Sequence, residues 1–188
     1  MRELYILTEG TTEPIPIDQV KAYVDYLGSD SETQQTLENT NKAARLRLEQ
    51  YCGRNFVEKT MILNINKLGY RFYLPFPPIS AITSITPYAN TGVAQTVLTA
   101  DTDYYLLGGR DRKYIRFATL TADAEYYEIK FTSGYKSAGQ PLPEAIIRAI
   151  LAQTRYDFKH LSGGGGTGDV MLSNEAKALV APYKEYEI

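Results

Sequence analysis

Hydrophobic periodicity changes twice along this chain, from the spacing of helices to that of strands near Phe56, and back to that of helices near Pro143. Periods arranged in blocks, rather than in strand-helix alternation, point to an α+β fold whose strands pair antiparallel with one another. The run from Ser31 to Cys52 contains neither Gly nor Pro. With Ser31 and Gln34 spaced as a capping box and Gly53 as a stop, it predicts a helix of about six turns. Leu37, Ala44, Leu48 and Tyr51 mark its inner face, whereas Arg45, Arg47 and Glu49 fall between these positions. A solvated face is the first expectation for those three, and contact with a neighbouring subunit the second. Upstream, Pro14 and Pro16 close an extended segment, Leu4 to Leu7. Asp18 is placed to cap a short helix with Val20, Tyr23, Val24 and Leu27 on one face and Gly28 at its end.

Beyond Phe56, Val57, Met61, Leu63 and Ile65 alternate with polar partners, and so do Tyr70, Phe72 and Leu74. Two strands joined by a turn near Asn66 to Gly69 are expected. The prolines of PFPP at 75–78 cannot donate to a ladder, so a bend is expected there before alternation resumes at Ile79, Ala81, Thr83 and Ile85. Val93 to Leu98, Tyr104 to Leu107, Tyr114 to Phe117 and Tyr126 to Thr132 follow as short strands, with a hairpin turn at Gly108 and Gly109. Pro143 then stands at a first helical position, and Ile146, Ile147, Ile150, Thr154 and Phe158 form an apolar stripe. The resulting architecture is a helical body, with two N-terminal helices and one C-terminal helix, that carries an inserted antiparallel β region.

SGGGGTG at 162–168 ends that body. Four consecutive glycines favour neither helix nor strand, so a tether is expected. The tail beyond it has a helix start at Ser173 and apolar residues Met171, Leu172, Leu179 and Val180, more apolar surface than a solubilising end needs. The expected segments are an N-terminal extension at 1–16, a body at 17–161, the tether at 162–168 and a docking tail at 169–188.

Composition narrows the function. Hydrophobic residues make up 44% of the 188 and charged residues 22%, near globular averages. No apolar run approaches the roughly 20 residues a bilayer requires, and MRELYILTEG lacks the features of a secretory signal. A soluble chain is expected. The single cysteine, Cys52, leaves no partner for an internal disulfide or a cysteine metal cluster. With 20 basic against 22 acidic side chains, and no basic block beyond Arg110 to Lys113, tight sequence-independent binding to nucleic acid is not expected. A near-neutral wall past which DNA slides is compatible with this balance. Sixteen tyrosines and no tryptophan suit surfaces that are half apolar and half wet, as protein interfaces are.

The chain offers no recognisable active site. His160, the one histidine, precedes the tether, where nothing orders a catalytic geometry. Cys52 falls at a helix end that does not lower a thiol pKa, so a core role is expected. Asp101 with Asp103, and Asp123 with Glu125 and Glu128, could pair carboxylates, but they stand in loops or on alternating strand faces. The glycines do not follow a phosphate-binding pattern. No catalytic, cofactor or metal residue is assigned, and a non-enzyme is expected.

The order of these elements, with their local sequences, resembles the head-tail connector (adaptor) family of tailed bacteriophages and prophages. IDQVKAYV at 17–24 is similar to the family's opening helix, and KAARLRLEQYCGRNF at 42–56 to its long second helix. LPFPPISAITSI at 74–85 resembles the proline-bearing strand pair. DYYLL at 103–107, YIRF at 114–117, YEIKFTSGY at 127–135 and LPEAIIRAILAQT at 142–154 resemble the later strands and last body helix. ALVAPY at 178–183 is similar to the short apolar tail of many members. The tether is longer than the family's, and the first ten residues have no counterpart.

The resemblance implies a virion protein, made in the bacterial host cytoplasm, that assembles at the head-tail junction. It implies a homo-oligomeric ring, commonly of twelve copies, that sits under the portal, extends the DNA channel and retains DNA. Its implied partners are other copies of itself, the portal protein and a stopper or tail-completion protein, with DNA passing unread and no membrane. Met171, Leu172, Leu179, Val180 and Tyr183 are the portal contacts it implies. A tail-side completion protein is an alternative, and a metal-dependent nucleotide-processing enzyme using Asp101 and Asp103 is another from a different class.

Overall fold

The computed structural model describes residues 2–28, 30–66, 69–109, 112–121, 123–135, 139, 141–162 and 171–185. The tether expected at 162–168 lies outside these residues, apart from position 162. The fold is α+β, and the chain divides into two compact units: Met1–Thr11 with Val57–Pro141, and Thr12–Phe56 with Leu142–Ile188. The N-terminal extension supplies a strand to the first unit, and the tail helix belongs to the second.

The first unit is all β. Strands β1 (Arg2–Glu9), β2 (Lys59–Ile65), β4 (Ile79–Tyr88) and β7 (Tyr126–Ser133) form an antiparallel sheet in the order β1-β2-β7-β4. Strands β3 (Arg71–Tyr73), β5 (Tyr104–Gly108) and β6 (Lys113–Phe117) form a second, in the order β3-β6-β5. Register places Leu63 opposite Ile129, Ile129 opposite Ile85, and Phe72 opposite Ile115. These rows meet in one apolar core that includes Met61, Leu63, Ile85, Ile115, Phe117, Ile129 and Phe131. Burying each such side chain contributes about 1.5–3 kcal/mol, which offsets the entropy of ordering seven short strands.

Two strand expectations change. β2 and β3 are not a hairpin, because β2 pairs with β1 and β7 while β3 pairs with β6. Val93 to Leu98 is not a strand. It runs beside β4 through a single bridge, Ala94 to Tyr88, and through bonds from Gln95 N–H to the Pro87 carbonyl and from Leu98 N–H to that of Ile85. The bend at PFPP is present between β3 and β4, and the β5-β6 hairpin closes at Gly108 opposite Lys113.

Gly134 ends β7 where no other residue fits. Its φ is 123°, and a Cβ there would stand 2.3 Å from the Val57 carbonyl oxygen. Its N–H donates to the Pro78 carbonyl at 2.9 Å, which holds it in place. Gly134→Ala is expected to lower stability by more than about 1 kcal/mol in urea unfolding. An unchanged midpoint would contradict the assignment of strain to this position.

The second unit is helical: α1 (Ile17–Val24), α2 (Ser31–Cys52), α3 (Glu144–Ser162) and α4 (Asn174–Val180), with a 3-10 turn at Ala181–Tyr183. Helix α3 is central and packs on the other three. Its buried Ile146, Ile150 and Thr154 confirm the expected stripe, and Leu37, Ala44 and Leu48 of α2 are fully buried. Among the described residues no helix is long and apolar enough to cross a membrane.

Helix ends differ from expectation by short steps with physical causes. α1 starts after Pro16, with Asp18 inside its first turn, and it stops at Asp25 in the left-handed region (φ 60°), well before Gly28. Leu27 is consequently outside the helix and 99% exposed. α2 is capped by Asp30, whose carboxylate accepts from Thr33 N–H at 2.9 Å, so Ser31 is the first helical residue. Gln34 accepts from Lys21 Nζ at 2.7 Å instead of closing a capping box. Pro143 precedes α3, and its carbonyl accepts from Ile146 N–H at 2.9 Å.

The larger correction concerns Arg45 and Glu49. Neither is solvated: both are buried, and Arg45 is the largest of the fully buried side chains. Arg45 donates through Nε and Nη2 to the two carboxylate oxygens of Glu13, at 2.8 and 2.9 Å, and through Nη1 to Glu49 Oε2 at 3.0 Å. The other Glu49 oxygen accepts from Phe56 N–H at 2.7 Å. Burial alone would depress the Arg45 pKa, but the two carboxylates outweigh it and the net shift is upward. Arg47 is also engaged, in an ion pair with the buried Asp157 of α3.

Candidate partner interface

The tail is seated on its own chain. Ser173 caps α4, its Oγ accepting from Ala176 N–H at 3.1 Å, as the sequence predicts. One glutamine of α3 holds the approach to that helix: Gln153 Oε1 accepts from Ser173 N–H at 2.8 Å, and its Nε2 donates to the Met171 carbonyl and to Asp157. Burial raises the Asp157 pKa despite the opposing effects of Arg47 and Gln153. Ala176 and Val180 then point inward with no exposed surface.

The far end of the tail is fastened to the end of α2. Glu185 N–H donates to the Cys52 carbonyl at 2.8 Å, its carboxylate pairs with Arg54 at 2.7 Å, and Lys184 Nζ lies 4.5 Å from the centre of the Tyr51 ring. The five residues expected to contact a partner therefore divide. Val180 is enclosed, Leu172, Leu179 and Tyr183 are half-buried, and Met171 is 68% exposed. The exposed surface of the seated tail comprises Met171, Asn174, Glu175, Ala178, Ala181 and Pro182, with the half-buried Leu172, Leu179 and Tyr183 beside them.

The residues weighed for chemistry lie apart. His160 is exposed, with its ring 4.3 Å from that of Tyr156. Asp103 accepts from Thr99 N–H at 2.7 Å and so shapes its own turn, while Asp101 sits at φ 62°. Glu128 pairs with Lys130 at 3.3 Å. Among the described residues no group of three or more His, Cys, Asp or Glu side chains is placed to hold a metal ion. Cys52 is fully buried, and burial pushes its thiol up to about 11. A thiol reagent at neutral pH is therefore expected to leave the native chain unmodified and to react once urea unfolds it. Prompt modification of the native chain would contradict this placement.

Other exposed apolar side chains cluster on β1, where Tyr5, Ile6 and Leu7 are about half exposed beside a register shift between Ile6 and Thr8. β1 is an edge of its sheet, and nothing in the sequence marks its outward residues as surface. Their apolar character reads equally well as core.

No protein-family model matches the chain, and no curated protein matches it. Solved structures do. A chain in the virion of a native gene transfer agent (GTA) particle superimposes with a TM-score of 0.75 at 17% identity, covering 98% of this chain and 96% of that one. A chain in the neck of an empty GTA particle, computed with C6 symmetry, gives 0.75 at 16% identity with 99% and 97% covered. A third, from the neck of a native GTA particle computed with C12 symmetry, gives 0.68 at 17% identity with 99% and 97% covered. This chain has the fold of a chain found in GTA necks. The match runs nearly end to end in both directions, so the β unit, the helical unit and the seated tail all fall within the shared GTA neck fold. At this identity the likeness lies in the fold, and side-chain contacts are not transferred by it.

Proposed function

We propose that this chain is a structural head-tail connector, an adaptor that forms a ring under the portal, extends the DNA channel and joins head to tail. The observation that carries this reading is the nearly complete match to chains in GTA necks, including one computed with C12 symmetry. The ordered resemblance of its sequence segments to phage adaptors supports the same role. Copies of the chain contact one another around the ring, the portal binds on one side, and a stopper or tail-completion protein binds on the other. The protein is made in the host cytoplasm and resides in the virion neck.

Within this reading the seated tail is a fixed contact element. Met171, Leu172, Leu179 and Tyr183 face the portal, and Val180 anchors them from below. A ring that repeats this face on every subunit gains avidity, because one docked copy raises the effective concentration of the rest. Electron microscopy of particles produced without this chain tests the role. DNA-packaged or leaking heads beside separate, finished tails are expected. Normal virions, or a failure to form heads, would overturn it. Asp101→Asn with Asp103→Asn is expected to leave assembly intact, whereas loss of a nucleotide-processing turnover in that variant would favour an enzyme.

A further inference from the structure

The three-stranded sheet has a face that its core does not use. Phe72, Ile115 and Leu106 turn toward the core, so alternation puts Arg71 and Tyr73 of β3, Tyr114 and Arg116 of β6 and Tyr105 of β5 on the opposite side. Three guanidiniums lie over three rings there. Arg71 is 4.5 Å from the centre of Tyr114, Arg112 is 4.7 Å from Tyr73, and Arg116 is 5.1 Å from Tyr105.

The ring contacts are favourable, but one feature of the arrangement opposes stability. Register sets Arg71 directly opposite Arg116, and like charges so placed destabilise a strand pair. Among the described residues no carboxylate lies within ion-pairing distance of Arg71, Arg112 or Arg116. Arg110 and Asp111 are outside those residues. Asp103, just before β5, has its carboxylate engaged with Thr99 N–H. A guanidinium resting on a ring keeps its in-plane N–H edge free, in the geometry that grips a phosphate.

We propose that this face binds the phosphate backbone of duplex DNA without reading its sequence. Arg112 and Arg116 are four residues apart along one strand direction, about 13 Å, and Arg71 sits one strand away, about 5 Å. Duplex DNA carries a charge about every 1.7 Å of its axis, so one duplex answers all three cations together. With guanidiniums over the rings, bases find no bare aromatic platform of the kind single strands use. Arginine and tyrosine are also enriched at protein interfaces, so an acidic protein surface is the competing occupant, and a comparison with polyglutamate separates the two. Three contacts give a weak, salt-labile hold, which suits DNA that must move past. The contact needs no ring, so an isolated subunit carries it.

Fluorescence anisotropy with a short labelled duplex of arbitrary sequence tests the proposal on the full chain. Three phosphate contacts predict a loss of affinity of about 40-fold between about 50 and 200 mM salt. The triple variant Arg71→Ala, Arg112→Ala, Arg116→Ala should flatten that dependence, the matching triple Lys variant should keep most of it, and Arg71→Gln alone should reduce the slope by about one. These side chains are at least partly exposed, and circular dichroism checks that each variant folds. Absence of salt-dependent binding, an unchanged slope in the folded Ala variant, or tighter binding of polyglutamate than of duplex at equal charge concentration would each overturn it.

Discussion

Glu49→Ala lowers folding stability by about 3–5 kcal/mol, the loss that follows when one member of a buried charge pair is removed. Two interactions fail together, and a buried charge is left less well compensated. Arg45 loses the partner of its Nη1 group, the Phe56 N–H loses its acceptor, and the guanidinium keeps its charge in a site with no exposed surface. Glu13 still holds the remaining edge of Arg45 but is itself 29% exposed, so it neutralises the charge less completely. Glu49→Gln should cost distinctly less, because the amide oxygen can still accept from Phe56. Glu13→Ala should also cost less than Glu49→Ala, since water reaches its position. Urea denaturation of the three variants gives the order. A loss below about 1 kcal/mol for Glu49→Ala would mean that the network behaves as a solvated surface pair. Added salt should leave the difference nearly intact, because buried pairs are weakly screened.

Val180→Asp detaches the tail and lowers stability by about 2 kcal/mol, the value of one fully buried valine. The loss has a ceiling. A carboxylate that cannot be buried expels α4 from its seat, and the unfavourable term then cannot exceed the free energy with which the tail docks. Hydrogen exchange locates the event: amides of Lys177, Leu179 and Val180 should lose protection while those in the middle of α2 keep theirs. Met171→Asp is the matching control, because that side chain is 68% exposed and its backbone bond to Gln153 survives substitution. It should leave stability unchanged and, if the proposed role holds, weaken attachment to the portal. Equal destabilisation by both substitutions would contradict the division of the tail into an anchor and a contact face.

Much of the fold was legible because its signals are local. The run without Gly or Pro, bounded by Gly53, gives α2, period two gives six of the seven strands, and Ser173 gives the start of α4. Non-local facts were hidden. Alternation identifies β2 and β3 but not their partners, and a turn at 66–69 suggests a hairpin that the two sheets do not make. Val93 to Leu98 alternates correctly yet lacks a full ladder, so pattern without a partner did not become a strand. Helical spacing places Arg45 on the surface because its bidentate partner, Glu13, lies 32 residues away and leaves no mark on that spacing.

The candidate interface was half legible for the same reason. Apolar residues in the tail predict that it docks, and the surface on which the structure seats it belongs to its own chain, held through a polar residue, Gln153, that no apolar pattern would select. The arginine and tyrosine face exists only through the pairing of β3, β6 and β5, since Arg71 and Arg116 are far apart in sequence.

A reconstruction of the neck of the intact particle at side-chain resolution tests the central claim most directly. The account predicts copies of this chain in a closed ring around the DNA path, between the portal and the tail, with α4 seated on α3 and Met171 turned toward a neighbouring protein. A neck without this chain, or particles that lack it altogether, would contradict the account.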